Sequence, residues 1–186
     1  MSSSNMNKWN DHYKDLKVTE PGPFDLYTDS FKLGAEWLSG CKEVEDWGCG
    51  KGGFANIATK LKVTSLDGSK TPFADKIVDL AKYKSSVDGI FMRSVAEHNF
   101  EWEKILTNLA ESFKKKAFVQ FYTPMNNETN EALLIQFSPG FKDIPELSIP
   151  SKVWENILLK NKIKWKKKEF SSTLAYGEET CYFLSR

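Results

Sequence analysis

The chain has 186 residues, 40% of them hydrophobic, and a formal net charge of +1. A length near that of one domain predicts a single folded unit spanning residues 1–186, and the balanced charge gives no reason to expect nucleic acid or an anionic membrane as a partner. Three cysteines without paired spacing, and no apolar run near the roughly 20 residues that cross a bilayer, predict a cytoplasmic protein with neither metal nor membrane span.

The N-terminal residues 1–42 predict a helical lead-in to this domain. Trp9, His12 and Tyr13 have helical spacing, the residues PGPF interrupt the chain at 21–24, and a helix is predicted from about Thr28 to Leu38. Its sequence does not indicate a separate domain.

Strands and helices alternate from residue 43 to residue 124. In chain order the pattern predicts a strand at EVEDWG, a helix at GGFANIATKLK, strands at VTSLDGS, KIVDL and VDGIFMRS, a helix at FEWEKILTNLAESFKKK and a strand at AFVQFYTP. Such alternation is typical of the α/β class, in which helices cover both faces of a mostly parallel sheet.

The alternation stops after Pro124. Residues 124–150 show little periodicity, and a segment of that length in a compact domain is usually functional or mobile, so we predict a substrate-side loop there. A helix is predicted at PSKVWENILLKN. The strands IKWKKKEF and TCYFLSR follow, and their connection is too short for a crossover helix, which predicts a C-terminal antiparallel hairpin.

Four glycines within six residues follow the first predicted strand, in VEDWGCGKGGF. Gly48, Gly50 and Gly53 match the G-x-G-x-x-G pattern of dinucleotide-binding proteins, which by itself is a weak signal. Asp46 precedes them at the end of the strand, where a carboxylate repels a pyrophosphate and attracts a cation. The motif therefore favours a ligand that carries positive charge.

Read as D-x-G-x-G-x-G, the same stretch resembles the first motif of the class I S-adenosylmethionine-dependent methyltransferases. The resemblance extends from about Trp9 to Arg186 and includes an acid at the end of the second predicted strand, Asp67, which in this family binds the ribose hydroxyls. An ordinary turn or N-cap aspartate is the other interpretation of Asp67. The resemblance implies a Rossmann-like methyltransferase domain with S-adenosylmethionine (SAM) as its cofactor.

The resemblance also implies which residues contact this cofactor. At the adenine, the third predicted strand offers Val78, Asp79 or Leu80, after a connection so short that the usual helix must be reduced to a turn. Arg93 and Ser94, after the fourth strand, would flank the methyl donor. The remaining implied contacts are Asp46, Gly48, Cys49, Gly50, Gly52, Asp67 and Gly68.

Aromatic residues near the N-terminus have two interpretations. Trp9 and Tyr13, with His12, are predicted to form a lid over the cofactor, since aromatic rings attract a sulfonium, or else to pack a helix on the sheet edge. Phe24 and Tyr27 have the same two interpretations.

Two residues after the fourth predicted strand are candidates for catalysis, Glu97 and His98. The ordinary pKa of histidine suits His98 to remove a proton near neutral pH; alternatively, both residues cap the next helix or fix its loop. The chain lacks the N/D-P-P-Y/F/W tetrapeptide that follows this strand in enzymes methylating amides or adenine amines, which favours an oxygen acceptor.

The sequence thus favours in-line methyl transfer from SAM to a small-molecule or glycan acceptor. Two other functions remain open. One is an NAD(P)-dependent oxidoreductase, which Asp46 and the terminal hairpin disfavour, and the other is a catalytically inert SAM-binding module.

The lysines of KNKIKWKKKEF have two interpretations: they would attract an anionic substrate or lie on a solvated strand. Nothing in the sequence indicates an oligomeric state.

Overall fold

A computed structural model describes residues 6–14, 29–141, 143–171 and 176–186. Phe24 and Tyr27, which were candidates for the aromatic lid, lie outside these residues. The strands are β1 (Val44–Trp47), β2 (Val63–Asp67), β3 (Lys76–Ile77), β4 (Val87–Arg93), β5 (Phe113–Phe121), β6 (Leu133–Phe137), β7 (Pro145–Ser148), β8 (Lys164–Ser171) and β9 (Glu178–Ser185).

Seven of these strands form the main sheet, in the order β3-β2-β1-β4-β5-β9-β8. β1 pairs in parallel with both β2 and β4, and β5 continues this parallel part next to β4. β9 runs antiparallel to its neighbours β5 and β8. The mostly parallel sheet and the C-terminal antiparallel hairpin are both confirmed.

Helices cover both faces of the sheet, as predicted for the α/β class. They are α1 (Asn10–Tyr13), α2 (Asp29–Trp37), α3 (Gly53–Ile57), α4 (Trp102–Ser112) and α5 (Ser151–Lys160), with a 3₁₀ turn at Ala96–His98. One face packs α4 and α5 through buried Ile105, Leu109 and Trp154. The other packs α2 and α3 around Phe91, which stacks on Phe54 with ring centroids 3.8 Å apart.

The helix predicted at FEWEKILTNLAESFKKK is longer than the observed α4. The helix ends at Ser112, and residues 113–116 belong to β5, where Phe113 pairs with Val87 and Lys116 with Gly89. Lysine has good helix propensity, but hydrogen bonding within the sheet outweighs this small preference.

Residues 124–150, where a substrate-side loop was predicted, include two strands. They contain β6 and β7, which form a separate two-stranded antiparallel sheet. The residues of β6 are exposed on both of its faces, including apolar Leu133, Leu134, Ile135 and Phe137. No alternation of apolar and polar residues was therefore present to reveal the strand.

Among the described residues, no helix has both the length and the apolar character needed to cross a membrane.

Candidate active site

A cavity of about 250 Å³ lies at the edge of the sheet where β1, β2 and β4 end. Because these strands are parallel, their carboxyl ends meet there, as expected for ligand sites in open α/β sheets. The sequence-predicted residues that line the cavity are Trp9, Tyr13, Asp46, Gly48, Cys49, Gly50, Asp67, Gly68, Leu80, Arg93, Ser94 and His98. Gly52, Val78, Asp79 and Glu97, all of them described, lie outside this lining.

The glycines after β1 have different local roles. Gly48, Gly50 and Gly52 all have left-handed backbone, with φ of 79°, 53° and 73°. A Cβ at Gly48 would lie 2.3 Å from a Val95 methyl, and one at Gly52 would lie 2.9 Å from the Phe73 ring, so both of these glycines permit close packing. A Cβ at Gly50 would meet only the Tyr13 hydroxyl, at 3.3 Å, among the described atoms. Gly50 is therefore the glycine whose bare backbone borders the cavity.

Asp67 ties this glycine turn to the end of β2. One carboxylate oxygen accepts a hydrogen bond from the Gly50 amide at 3.0 Å, and the other accepts from the Ser69 amide at 2.8 Å. Burial raises the pKa of Asp67, while the backbone hydrogen bonds oppose the rise. Thr71 adds a further tie, since its hydroxyl donates to the Gly50 carbonyl at 2.6 Å. The turn is thus held in shape from the β2 side.

Asp46 and Asp67 bring two buried carboxyl groups to neighbouring strand ends. Asp46 is 2% exposed and Asp67 is 5% exposed, and both line the cavity. In a site shielded from water such groups attract cations and accept hydrogen bonds from hydroxyl groups.

Of the three residues that the third predicted strand offered, one reaches the cavity. Leu80 lines the cavity, whereas Val78 and Asp79 do not. Asp79 instead accepts a hydrogen bond from the Ala81 amide at 3.1 Å and pairs with Lys82 at 3.1 Å. Because β3 is only two residues long, the chain turns before the Asp79 side chain reaches the cavity.

The segment before α1 is attached to the loop after β2. The Asn7 amide donates to the Gly68 carbonyl at 2.8 Å, and the Trp9 amide donates to the Ser69 hydroxyl at 2.9 Å. None of the four residues of α1 is buried. This arrangement favours an aromatic wall beside the cavity over a helix packed on the sheet edge.

The ring of Trp9 connects this segment to two other parts of the molecule. Its centroid lies 5.2 Å from that of His98 and 5.1 Å from that of Phe141. Phe141 belongs to the connection between β6 and β7 and also contacts His12. The sequence did not single out Phe141, because a lone aromatic residue in a segment without periodicity carries no signal of its own.

His98 is held in one tautomer by a backbone carbonyl. Its Nδ1 lies 3.1 Å from the Pro145 oxygen, and since a carbonyl only accepts, Nδ1 must carry the hydrogen. In the neutral ring, Nε2 then has the free lone pair. Burial lowers the pKa of His98, the Pro145 hydrogen bond and the charge of Glu146 oppose this change, and the charge of Lys8 adds to it. Burial therefore favours the neutral form of the ring, which is the form that a base requires.

Glu97 does not share the position of His98, although the two are adjacent in sequence. Its side chain is fully buried, lies outside the cavity lining and accepts a hydrogen bond from the Tyr122 amide at 3.0 Å. Burial raises its pKa from 4.5 to about 7. The hydrogen bond from Tyr122 favours the interpretation in which Glu97 fixes its loop.

Arg93 and Ser94 line the cavity at the end of β4. Arg93 donates from Nε to the Ser30 hydroxyl at 3.1 Å, and its guanidinium lies 4.7 Å from the centre of the Phe31 ring. Ser94 has a φ of 53° and donates its hydroxyl to Gln120 at 3.0 Å. A non-glycine residue in this conformation costs about 1 kcal/mol or more and is found most often at functional sites.

Sequence reasoning missed several residues of the cavity lining. Lys51 and Ser69 adjoin predicted residues and could have been found by extending the two motifs. The others reach the cavity from helices, strands or loops whose apolar or amide side chains gave no signal of a site. They are Phe31, Phe91, Val95, Asn99 and Ile105.

No protein-family model and no curated protein sequence matches the chain. Its fold does match solved structures. One is a magnesium protoporphyrin IX methyltransferase from Synechocystis PCC 6803 with SAM bound, at 16% identity and a TM-score of 0.61, over 96% of this chain and 89% of that one. Another is a 1,6-didemethyltoxoflavin-N1-methyltransferase from Burkholderia thailandensis, solved with 1,6-didemethyltoxoflavin and S-adenosylhomocysteine (SAH), at 11% identity and a TM-score of 0.63, over 95% and 80%.

A third match is a SAM-dependent methyltransferase from Clostridium acetobutylicum ATCC 824, at 12% identity and a TM-score of 0.58, over 88% of this chain and 94% of that one. At these identities the likeness concerns the fold. The chain has the Rossmann-like fold of the class I SAM-dependent methyltransferases, which is the fold that its glycine motif implied.

Proposed function

We propose that the protein is a SAM-dependent methyltransferase that acts on an oxygen of a small-molecule or saccharide acceptor. The observation that carries this proposal is the pair of buried acids, Asp46 and Asp67, on either side of a turn whose Gly50 presents bare backbone to the cavity. The shared fold supports it, because proteins with this fold have been solved with SAM or SAH bound.

The residues of the cavity fit this cofactor. Asp46 supplies negative charge for its sulfonium and amino groups. Each carboxylate oxygen of Asp67 accepts one backbone hydrogen bond, and since a carboxylate has about four acceptor sites, capacity remains for two ribose hydroxyls. When bound, the cofactor supplies a methyl group activated by its positively charged sulfur.

The chemistry left to the protein is alignment and removal of a proton. The acceptor hydroxyl has to lie in line with the activated methyl group, with reacting atoms about 3 Å apart. His98 takes the hydroxyl proton at Nε2 and keeps its Nδ1–H bond to Pro145 throughout. Trp9 and Tyr13 form a wall that limits access of water to this point.

Two observations support a small acceptor that contacts the 124–150 segment. The segment supplies Phe141, which contacts Trp9, and Pro145, whose carbonyl accepts the hydrogen bond from His98. The names of two solved relatives in fold refer to toxoflavin and porphyrin compounds, which are small molecules. Oxygen as the acceptor atom is supported by the neutral imidazole at the cavity and by the absence of the amine-methylating tetrapeptide from the sequence.

The test is single-turnover transfer from methyl-labelled SAM to panels of phenols, sugars, carboxylic acids and amines. His98→Ala should bind SAM with affinity within about twofold of wild type and transfer the methyl group at least about a hundredfold more slowly. His12→Ala is the matched control, because His12, like His98, contacts Trp9 but lies outside the cavity lining. Wild-type transfer by His98→Ala would contradict the base, and transfer only to amines would contradict the oxygen acceptor.

A further inference from the structure

A further buried carboxylate, Glu146, lies on β7, next to the residue whose carbonyl bonds to His98. Glu146 is 5% exposed. It accepts hydrogen bonds from Gln136 Nε2 at 2.8 Å, from the Ser138 hydroxyl at 3.1 Å and from the Tyr176 hydroxyl. The hydroxyl of Tyr122 is a further hydrogen-bond partner. Gln136 lies in β6, and Ser138 directly follows that strand. Tyr122 directly follows β5, and Tyr176 lies in the connection between β8 and β9.

The network keeps Glu146 ionised. Burial by itself would raise its pKa, but the hydrogen bonds from Tyr176, Gln136, Tyr122 and Ser138 together lower it below the ordinary value. A buried carboxylate with this many donors also anchors the segments that supply them. Glu146 therefore attaches the β6–β7 hairpin to the main sheet.

Glu146 is adjacent in sequence to the residue that orients His98. The Pro145 carbonyl accepts the Nδ1 hydrogen of His98, so any movement of β7 moves this acceptor. The Tyr122 ring, which bonds to Glu146, lies 5.4 Å from the His98 ring. Anchoring of the hairpin and orientation of the imidazole thus involve the same residues.

We propose that Glu146 is a positioning residue for His98: it anchors the hairpin so that the Pro145 carbonyl holds the Nδ1–H tautomer. The negative charge of Glu146 also favours a proton on the imidazole. The inference rests on the proposed function in so far as His98 is the base. The carboxylate would act through the neighbouring carbonyl, without contact with the substrate.

Several charged or titratable groups face His98, and the test has to separate them. Glu146 lies on β7, Lys8 lies in the segment before α1, Tyr122 follows β5, and Glu97 precedes His98 in the 3₁₀ turn. Of these, Glu146 contributes the charge that raises the pKa of His98, and Lys8 the charge that lowers it. Replacement of Glu146 by glutamine removes the first charge and leaves the other groups in place.

The experiment is ¹⁵N NMR on protein labelled at histidine, which needs no acceptor. The chain has two histidines, and His12→Gln assigns their signals. Wild-type His98 should show the Nδ1–H tautomer, and Glu146→Gln should lower the midpoint of its titration by on the order of half a pH unit to one unit. Tyr176→Phe is the matched control, since it removes one hydrogen bond from the network and keeps the charge. A His98 titration unchanged in Glu146→Gln would overturn the proposal.

A second variant keeps the test decisive if Glu146→Gln does not fold. Gln136→Met combined with Tyr176→Phe removes two of the four donors and keeps the carboxylate. The folded double variant should show a mixture of His98 tautomers, whereas a single Nδ1–H tautomer like that of wild type would overturn the anchoring role.

With an active enzyme, the pH dependence of the rate gives an independent measurement. A lower pKa of His98 means that the base is deprotonated at lower pH, so the acid limb of the profile should move to lower pH in Glu146→Gln by the shift seen in NMR. If no methyl transfer is found while the NMR results hold, the proposed function fails and the positioning of His98 by Glu146 stands.

Discussion

Gly50 combines a left-handed backbone, with φ of 53°, with a position where a side chain would enter the cavity. We predict that Gly50→Ala folds with a loss of about 1–2 kcal/mol from backbone strain and binds SAM at least about tenfold more weakly. The control is Gly40→Ala. Gly40 has φ of 85° and no described atom within 4 Å of an added Cβ, so this variant shares the strain without a change at the cavity.

Calorimetric titration with SAM and urea unfolding of both variants separate the two effects. Equal SAM affinity in Gly50→Ala and Gly40→Ala would show that the glycine turn is only a connection between β1 and α3.

Glu97 should make the stability of the protein depend on pH. Because burial raises its pKa from 4.5 to about 7, the folded state retains a proton that the unfolded state releases above pH 4.5. The stabilisation is complete below pH 4.5 and is lost as the pH rises to 7, by on the order of 3 kcal/mol. Glu97→Gln cannot release this proton, so it should lack this part of the decrease.

Urea unfolding at intervals from pH 4.5 to 8 measures the difference between the two proteins. Glu103→Gln, an exposed glutamate of α4, is the control and should follow the wild-type curve. Parallel curves for wild type and Glu97→Gln would contradict the assignment.

At the scale of single residues, the sequence predicted those sites whose chemistry depends on the local motif. Asp46, Gly50 and Asp67 follow directly from strand ends and from glycine spacing. The adenine-side residue could not be chosen among Val78, Asp79 and Leu80, because a strand of two residues has no pattern that locates its end. The separate positions of Glu97 and His98 depend on a 3₁₀ turn that the sequence does not indicate.

Among the helices, α1 contributes to the cavity without contributing to the core. None of its residues is buried, and Trp9, which directly precedes it, is only partly buried, so Trp9→Ala should change the free energy of unfolding by less than about 1 kcal/mol. It should weaken SAM binding by about tenfold, because the ring of Trp9 lines the cavity and contacts His98. Binding and unfolding measured on the same preparation check both parts.

Asp11→Ala is the control within the same helix, since the Asp11 side chain is 90% exposed. A Trp9→Ala variant that binds SAM like wild type would show that the aromatic wall plays no part in holding the cofactor.

Whole strands and helices were predictable where one face is buried, whereas β6 was missed. The β1–α3–β2 unit follows from its buried strands and its glycines. β6 has apolar side chains on both exposed faces, so its sequence lacks the alternation that identifies a strand. The end of α4 was misplaced because the lysines at 114–116 favour a helix locally, whereas their partners in β4 and β9 are distant in sequence.

At the scale of the molecule, the sheet determines where the site lies. The parallel pairing of β1 with β2 and β4 brings Asp46, Asp67 and Arg93 to one edge, and the sequence allowed this to be expected from alternation alone. The contact of the β6–β7 hairpin with His98 could not be expected, because it joins residues 47 positions apart through a backbone carbonyl. Any residue could supply such a carbonyl.

The central claim, that the cavity holds SAM, is tested most directly by calorimetric titration of wild type and Asp67→Ala with SAH and with NADH. Asp75→Ala serves as the control, because Asp75, like Asp67, accepts a backbone hydrogen bond but lies outside the cavity lining. We predict that wild type and Asp75→Ala bind SAH, that Asp67→Ala binds it at least tenfold more weakly, since a buried charged hydrogen-bond acceptor is lost, and that none of them binds NADH. Binding of NADH by the wild type, without binding of SAH, would contradict the claim.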